Sequence, residues 1–264
     1  MSKPIQPPSP QIIDLCDRCE KMIKAYVAFL MTKPGSIGRY ESEVEFHTIM
    51  KLILRHFESL LTLARKDLVL APSANIIART VFEASVRVRW MFLPLDPYER
   101  EARWILHLRS AKLQAKKLSE SEYMRESVAK AYNDRLAAYS QFDSDICKKL
   151  NKINYTVPDK SPNLRGMIKD LNEPYLYNYY VLLSAYSHSN FEAASLYKQG
   201  LGGAKKLGEF TSVIDWVVPF EVTWKSYFLA AREFLRLIEA DVEGFEKAAD
   251  VLGFERALNA LTSS

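Results

Sequence analysis

The chain has 264 residues, 48% of them hydrophobic, 26% charged, with a formal net charge of +4. That is enough apolar material for a sizeable core; the mild positive charge permits contact with nucleic acid without the strong basic bias of a dedicated binder. Nine glycines, against roughly 7% in average usage, leave too few tight turns for a many-stranded β architecture and favour long helices with few connections.

Residues 1–10 are rich in proline and serine and lack an apolar stretch, so they read as a disordered lead, not a signal peptide. A first helix is expected over residues 11–32, stopped by Pro34-Gly35. A second, over 41–66, carries Val44, Ile49, Leu52, Ile53, Phe57, Leu60 and Ala64 at helical spacing. Ser73 is expected to cap a third, reaching Leu93 and ended by Pro94 and Pro97. Pro97 suits the first turn of a fourth, to about 118, and a fifth covers roughly 120–149. After an irregular segment, 151–163, come a short helix over 164–171 and a seventh over 174–197. A glycine-rich connection, 198–211, leads to an eighth helix over 213–239, with a bend at Pro219, and Gly244 separates a last helical segment, 245–261.

No segment alternates with period two, and no run approaches the 18 apolar residues of a membrane span. The expectation is an all-α, antiparallel multi-helix bundle in which 11–264 form a single domain. Three cysteines make no disulfide framework, which points to a reducing, cytoplasmic setting. Cys16 and Cys19 form a lone C-x-x-C without further ligands, so neither metal nor cofactor is expected.

Two helices carry the polar residues of interest. The third places Asn75, Arg79, Glu83 and Arg87 at i, i+4 steps, in a band about 120° wide. The rest of its circumference is largely apolar, which predicts burial and therefore pairing of the charges. They form either a structural ion-pair ladder or the lining of a cleft. The seventh helix places Tyr177, Ser184, His188, Glu192 and Ser195 on one face of a mostly aromatic and aliphatic cylinder, and it too is expected to be buried. His188 is either a satisfied core histidine or an acid–base group. Should the two helices pack together, Arg79, Glu83, Arg87 and His188 would converge. Elsewhere Arg109, Lys112 and Lys116 form a basic stripe that reads as a solvated face or a phosphate contact. The glycine-rich connection lacks P-loop spacing and reads as a connection only.

The stretch from Ala78 to Trp90, with its ARxxFE pattern, and Leu183-Ser-Ala-Tyr-Ser-His188 together resemble an uncharacterised bacterial helical family, over about residues 41–197. That family is in turn distantly similar to the helical-bundle ribonucleases of prokaryotic toxin and phage-defence systems, usually dimers, which use an Arg, four to six residues, then His on one helix. His188 has Val181, Leu182 and Leu183 where that Arg should stand, whereas Arg100, six residues, then His107 meets the spacing on the fourth helix. The resemblance implies a defence or toxin-type effector acting on RNA or a nucleotide, a ribonuclease or nucleotide hydrolase or transferase if it is an enzyme. His188 would be its acid–base group, Glu83 the orienter, and Arg79, Arg87 and Ser184 its phosphate or ligand contacts; Arg100 and His107 form an alternative site. The rival expectation is a non-catalytic, homo-oligomerising interaction module or a small-ligand sensor.

Overall fold

The computed structural model describes residues 6–33, 38–188, 191–199 and 206–262. Helix α1 spans Pro10–Met31, with Pro10 in its first turn and Ser9 as N-cap, whose hydroxyl accepts the Ile12 N–H. Helix α2 spans Glu41–Lys66, with Glu41 and Glu43 in its first turn and Arg65 and Lys66 in its last, each complementing the helix dipole. Helix α3 spans Ala71–Phe92 and begins before Ser73, which is therefore not its cap. A 3-10 turn, Leu68–Leu70, feeds directly into it, and Asp67 caps that turn by accepting the Val69 N–H at 3.1 Å. Helix α4, Pro97–Ser119, is capped by Asp96. Helix α5, Glu126–Lys152, starts later than the polar run suggests, because residues 121–124 turn instead, with the Met124 N–H on the Ser121 carbonyl.

Helix α6 covers Leu164–Asp170. The long seventh helix expected over 174–197 is divided into α7, Leu176–Ser187, and α8, Phe191–Ser195. The serines explain the stop: Ser184 Oγ donates to the Tyr180 carbonyl at 2.6 Å and Ser187 Oγ to the Ser184 carbonyl at 3.2 Å, competing with the backbone ladder. Two-residue strands β1, Lys198–Gln199, and β2, Lys206–Leu207, pair antiparallel. Gly200, Gly202 and Gly203, like Pro34-Gly35 and the first five residues, lie outside the described residues.

Helix α9, Val217–Leu237, follows a 3-10 turn, Val213–Trp216, closed by a Ser212–Asp215 capping box. Pro219 sits in its first turn, where a helix has no N–H bond to lose. Helices α10, Val242–Ala249, and α11, Val251–Thr262, complete the chain. Gly244 does not separate this last part of the chain from α9: it lies inside α10 and donates its N–H to the cap Asp241, while the chain leaves α9 through Glu239, left-handed at φ 55°. The segment expected as one helix over 245–261 is divided at Asp250, which takes the left-handed conformation at φ 51°. No helix among the described residues is long and apolar enough to cross a membrane.

The chain forms two compact units. The first comprises Met1–Ile37, Phe46–Trp90 and Leu164–Ser264 and is organised around α9. Phe220, Trp224, Tyr227, Ala230, Ala231 and Phe234 are all essentially inaccessible, so this helix is apolar on nearly every side and needs neighbours all round it. From α2, Phe46 meets Phe234 at 4.8 Å and Phe57 meets Tyr227 at 5.5 Å, an antiparallel register. Helix α1 supplies Tyr26, edge-on to Tyr227, and α11 supplies Phe254, stacked on Trp224 at 4.5 Å. The α3 side is tied by hydrogen bonds: Trp216 Nε1 donates to the Leu68 carbonyl at 2.9 Å and Ser85 Oγ to the Ser226 carbonyl at 2.7 Å. The second unit, Gly38–Glu45 and Met91–Asn163, is built on the α4–α5 hairpin, in which Trp104 meets Phe142 edge-on at 5.3 Å.

Truncating the central helix should be costly. Phe234→Ala is expected to lower unfolding stability by about 3–5 kcal/mol, the usual cost of an emptied aromatic site. Urea denaturation followed by circular dichroism measures it, and a loss below about 1 kcal/mol would contradict the central role of α9.

Candidate functional site

Helix α3 presents its polar residues at one-turn intervals, and each meets a different fate. Asn75 is buried; its side-chain amide donates to the Ala71 carbonyl at 3.0 Å, while its Oδ1 has no partner among the described residues. Arg79 Nε donates to Glu83 Oε1 at 2.7 Å. The same guanidinium donates from Nη1 to Ser187 Oγ and lies 5.1 Å from the centre of the Tyr180 ring. Phe82 adds an edge contact to Tyr179. Helices α3 and α7 therefore do pack together, as convergence of the two polar stripes requires.

The outcome at α7 is partial convergence. Arg79, Glu83 and Ser187 form one connected group at the C-terminal end of α7, and His188 is the next residue, its N–H on the Ser184 carbonyl and its side chain exposed. Glu83 is engaged by Arg79, and among the described residues no contact joins it to His188. Ser184 has spent its proton on the Tyr180 carbonyl. Arg87 is half-buried and forms no ion pair among the described residues. The side chain of Glu192 lies outside the described residues.

Burial of α7 is corrected. Only Leu176 and Leu183 are buried, while Tyr175, Val181 and Leu182 are exposed at 54%, 55% and 45%. Helix α9 occupies the core position that the apolar circumference of α7 suggested for it. The middle of α7 is tied to α9 through Tyr179, whose hydroxyl donates to Glu221 Oε1 at 2.8 Å, with Lys225 on the same oxygen at 2.7 Å.

The most buried ion pairs of this unit among the described residues involve a residue off the i, i+4 ladder. Arg89 is almost fully buried; it donates to both oxygens of Glu173, at 2.7 and 2.9 Å, and to Glu233 at 2.8 Å. Burial alone would ease the proton off, but the bidentate bond to Glu173 and the charge of Glu233 outweigh it and raise the guanidinium further above its ordinary value. Beside it, Trp90 Nε1 donates to Asp170 at 2.9 Å. Glu173 lies in the connection just before α7. Two arginines of α3 thus hold the two ends of α7, Arg89 its entry and Arg79 its exit. The available signal for Arg89 was a charge set among Val86, Val88, Trp90 and Met91; nothing local names its carboxylates, 84 and 144 residues further on.

In the second unit, Arg100 and His107 are turned to different partners. Arg100 Nη1 donates to the Pro94 and Leu95 carbonyls, at 3.3 and 3.1 Å. His107 Nε2 sits 3.6 Å from Glu45 Oε1, and its hydrogen bond is the main cause holding the Glu45 carboxyl below its ordinary value. The basic stripe on α4 is largely neutralised internally: Lys112 reaches Asp143 at 2.7 Å and Arg109 reaches it at 3.3 Å. Burial pushes Asp143 upward, but the bonds from Lys112 and Cys147 and the charges of Arg109 and Lys112 bring it below its ordinary value. Burial pushes the Cys16 thiol up to about 12 and Cys19 well above its usual value, so both remain protonated at neutral pH. Among the described residues no cluster of three or more His, Cys, Asp or Glu side chains could hold a metal ion.

A protein family described as a family of unknown function, DUF5677, matches residues 46–202, more than half of the chain. This chain belongs to DUF5677. The matched segment contains both α3 and α7, and so the whole Arg79–Glu83–Ser187–His188 group, whereas α9 lies beyond it. Neither a curated protein nor a solved structure matches this DUF5677 chain.

Two outcomes follow from the ion pairs. Arg89→Ala should cost about 3–5 kcal/mol, because it leaves two carboxylates facing each other without their cation; a thermal melt with an unchanged midpoint would contradict this. The lowered Asp143 carboxyl stabilises the fold fully above its unfolded value, near 3.9, and this contribution is lost as pH falls through its lower folded value. Asp143→Asn should therefore destabilise at neutral pH and flatten the acid limb of a stability-against-pH curve. An acid limb as steep as that of wild type would exclude Asp143 as its source.

Proposed function

We propose that this DUF5677 protein is a bacterial, cytoplasmic effector of the defence or toxin type that acts on RNA or a nucleotide at the α3–α7 junction. The observation that carries the reading is the meeting of the Arg79–Glu83 pair with the end of α7, one residue from the exposed His188. The reaction class this supports is metal-independent phosphodiester transfer. His188 takes the proton from a ribose 2′-hydroxyl. The 2′-oxygen bonds to the adjacent phosphorus, the bond to the 5′-oxygen breaks, and that oxygen leaves with a proton taken from solvent water, giving a 2′,3′-cyclic phosphate, while His188 returns its proton to solvent. Arg79 supplies the cation for the phosphoryl oxygens. Glu83 acts on Arg79, not on His188: its grip on Nε fixes the guanidinium plane. Arg87 is the second cation for the chain of phosphates, and Ser184 retains only acceptor capacity there.

A second reading has its own support. Val181 and Leu182 leave apolar surface of α7 exposed, which suits a homo-oligomerising interaction module. In that case the Arg79–Glu83 pair is structural.

Purified protein incubated with single-stranded RNA separates the readings. Wild type should cleave, His188→Ala should lose about 100-fold or more of the rate while remaining folded, and His107→Ala should cleave normally. Loss confined to His107→Ala would move the site to α4. Intact RNA with wild type would sink the ribonuclease reading, and a concentration-dependent dimer abolished by Leu182→Asp would favour the interaction module.

A further inference from the structure

The second unit contains a cavity of about 360 Å3, within the range of small-molecule sites, that the α3–α7 reading does not use. Its lining has three chemically separate parts. Tyr40, Tyr98 and Phe142 supply aromatic surface, with Tyr40 and Tyr98 set edge to face at 6.3 Å. Glu101 is buried; one of its oxygens accepts the Ser42 N–H at 2.8 Å, at the start of α2. Arg39 and Lys149 are exposed and stand with Glu41, leaving these three with a net positive charge.

Each part constrains a ligand. Burial raises the Glu101 carboxyl above its ordinary value, against bonds from Ser42 that hold it down; an N–H or O–H donor facing it adds to those bonds and takes up the acceptor capacity they leave unused. Aromatic walls favour a flat, apolar-faced body. The exposed Arg39 and Lys149 favour an anionic end remote from that donor. A lone ammonium ligand would satisfy Glu101 and leave the two cations opposed to it; a lone phosphate would satisfy the cations and be repelled by Glu101. Capping α2 explains why Glu101 is present, but it accounts for neither the aromatic lining nor the cavity.

We propose that this cavity binds a purine nucleotide, its base against Tyr40, Tyr98 and Phe142, a base N–H on Glu101 and its phosphate held by Arg39 and Lys149. The site lies wholly within the second unit and stands or falls independently of RNA cleavage at α3–α7.

Isothermal titration of the full chain with GMP, AMP, ribose 5-phosphate and inorganic phosphate tests it. A purine mononucleotide should bind, with ribose 5-phosphate and phosphate each at least about tenfold weaker. Glu101→Gln keeps an oxygen for the Ser42 amide but replaces a pure acceptor with one that also donates, and should weaken nucleotide binding about tenfold or more. Lys149→Ala, at an exposed position that leaves the fold intact, should weaken it by a factor of about three to ten and reduce its salt dependence. A short RNA with the same 5′-terminal purine forms the second arm. Tighter binding than the mononucleotide assigns the cavity to an RNA end, and weaker binding assigns it to a free nucleotide. Absence of binding by GMP and AMP at millimolar concentration, equal affinity for ribose 5-phosphate, or wild-type affinity in Lys149→Ala would each overturn the proposal.

Discussion

A guanidinium buried between two carboxylates is the constraint on which the first unit turns. Arg89 cannot be taken out of water unless Glu173 and Glu233 arrive with it, and neither carboxylate can remain there without Arg89. The contact contributes little net stability compared with an apolar replacement, yet it discriminates strongly between arrangements. Any packing that separates α3 from α9, or from the entry to α7, leaves an unpaired charge in the interior.

That constraint shapes the candidate site. With its entry held through Glu173 and its middle held by the Tyr179–Glu221 bond, α7 is delivered with Ser187 against Arg79. Helix α7 is thereby a surface element carried by a rigid scaffold, the usual setting for groups that meet a ligand. The apolar α9 makes this affordable: because it fills the centre of the unit, α7 can leave one face in solvent and end on an exposed histidine. The two α3 arginines divide the work, Arg89 buried and saturated, Arg79 partly open and held by one carboxylate.

Much of the fold was legible because helices declare themselves locally. The boundaries of α1, α2, α4 and α6 follow from prolines, side-chain caps and 3.6-residue periodicity. Three of the boundary differences share one cause: a side chain outcompeted the expected signal. Asp67 started the run into α3 before Ser73 could cap it, Ser184 and Ser187 helped end α7 early, and Asp241, by capping α10, placed Gly244 inside a helix. Burial was misread for α7 because an all-round apolar pattern says that a helix can be buried, whereas competition among helices for the interior decides which one is.

By itself the sequence determined the helical class, most of the helix boundaries and the presence of two polar stripes, since each depends on neighbours within a few turns of chain. It also determined the match to DUF5677 over residues 46–202. Tertiary structure alone decided that Glu83 serves Arg79 and not His188, that Arg89 is the buried member, and that Arg100 and His107 are turned to different partners. The Arg89 and His107 pairings join side chains across tens of residues, and a charge shows its sign in sequence but reveals a distant partner only when folding brings one within about 3–4 Å.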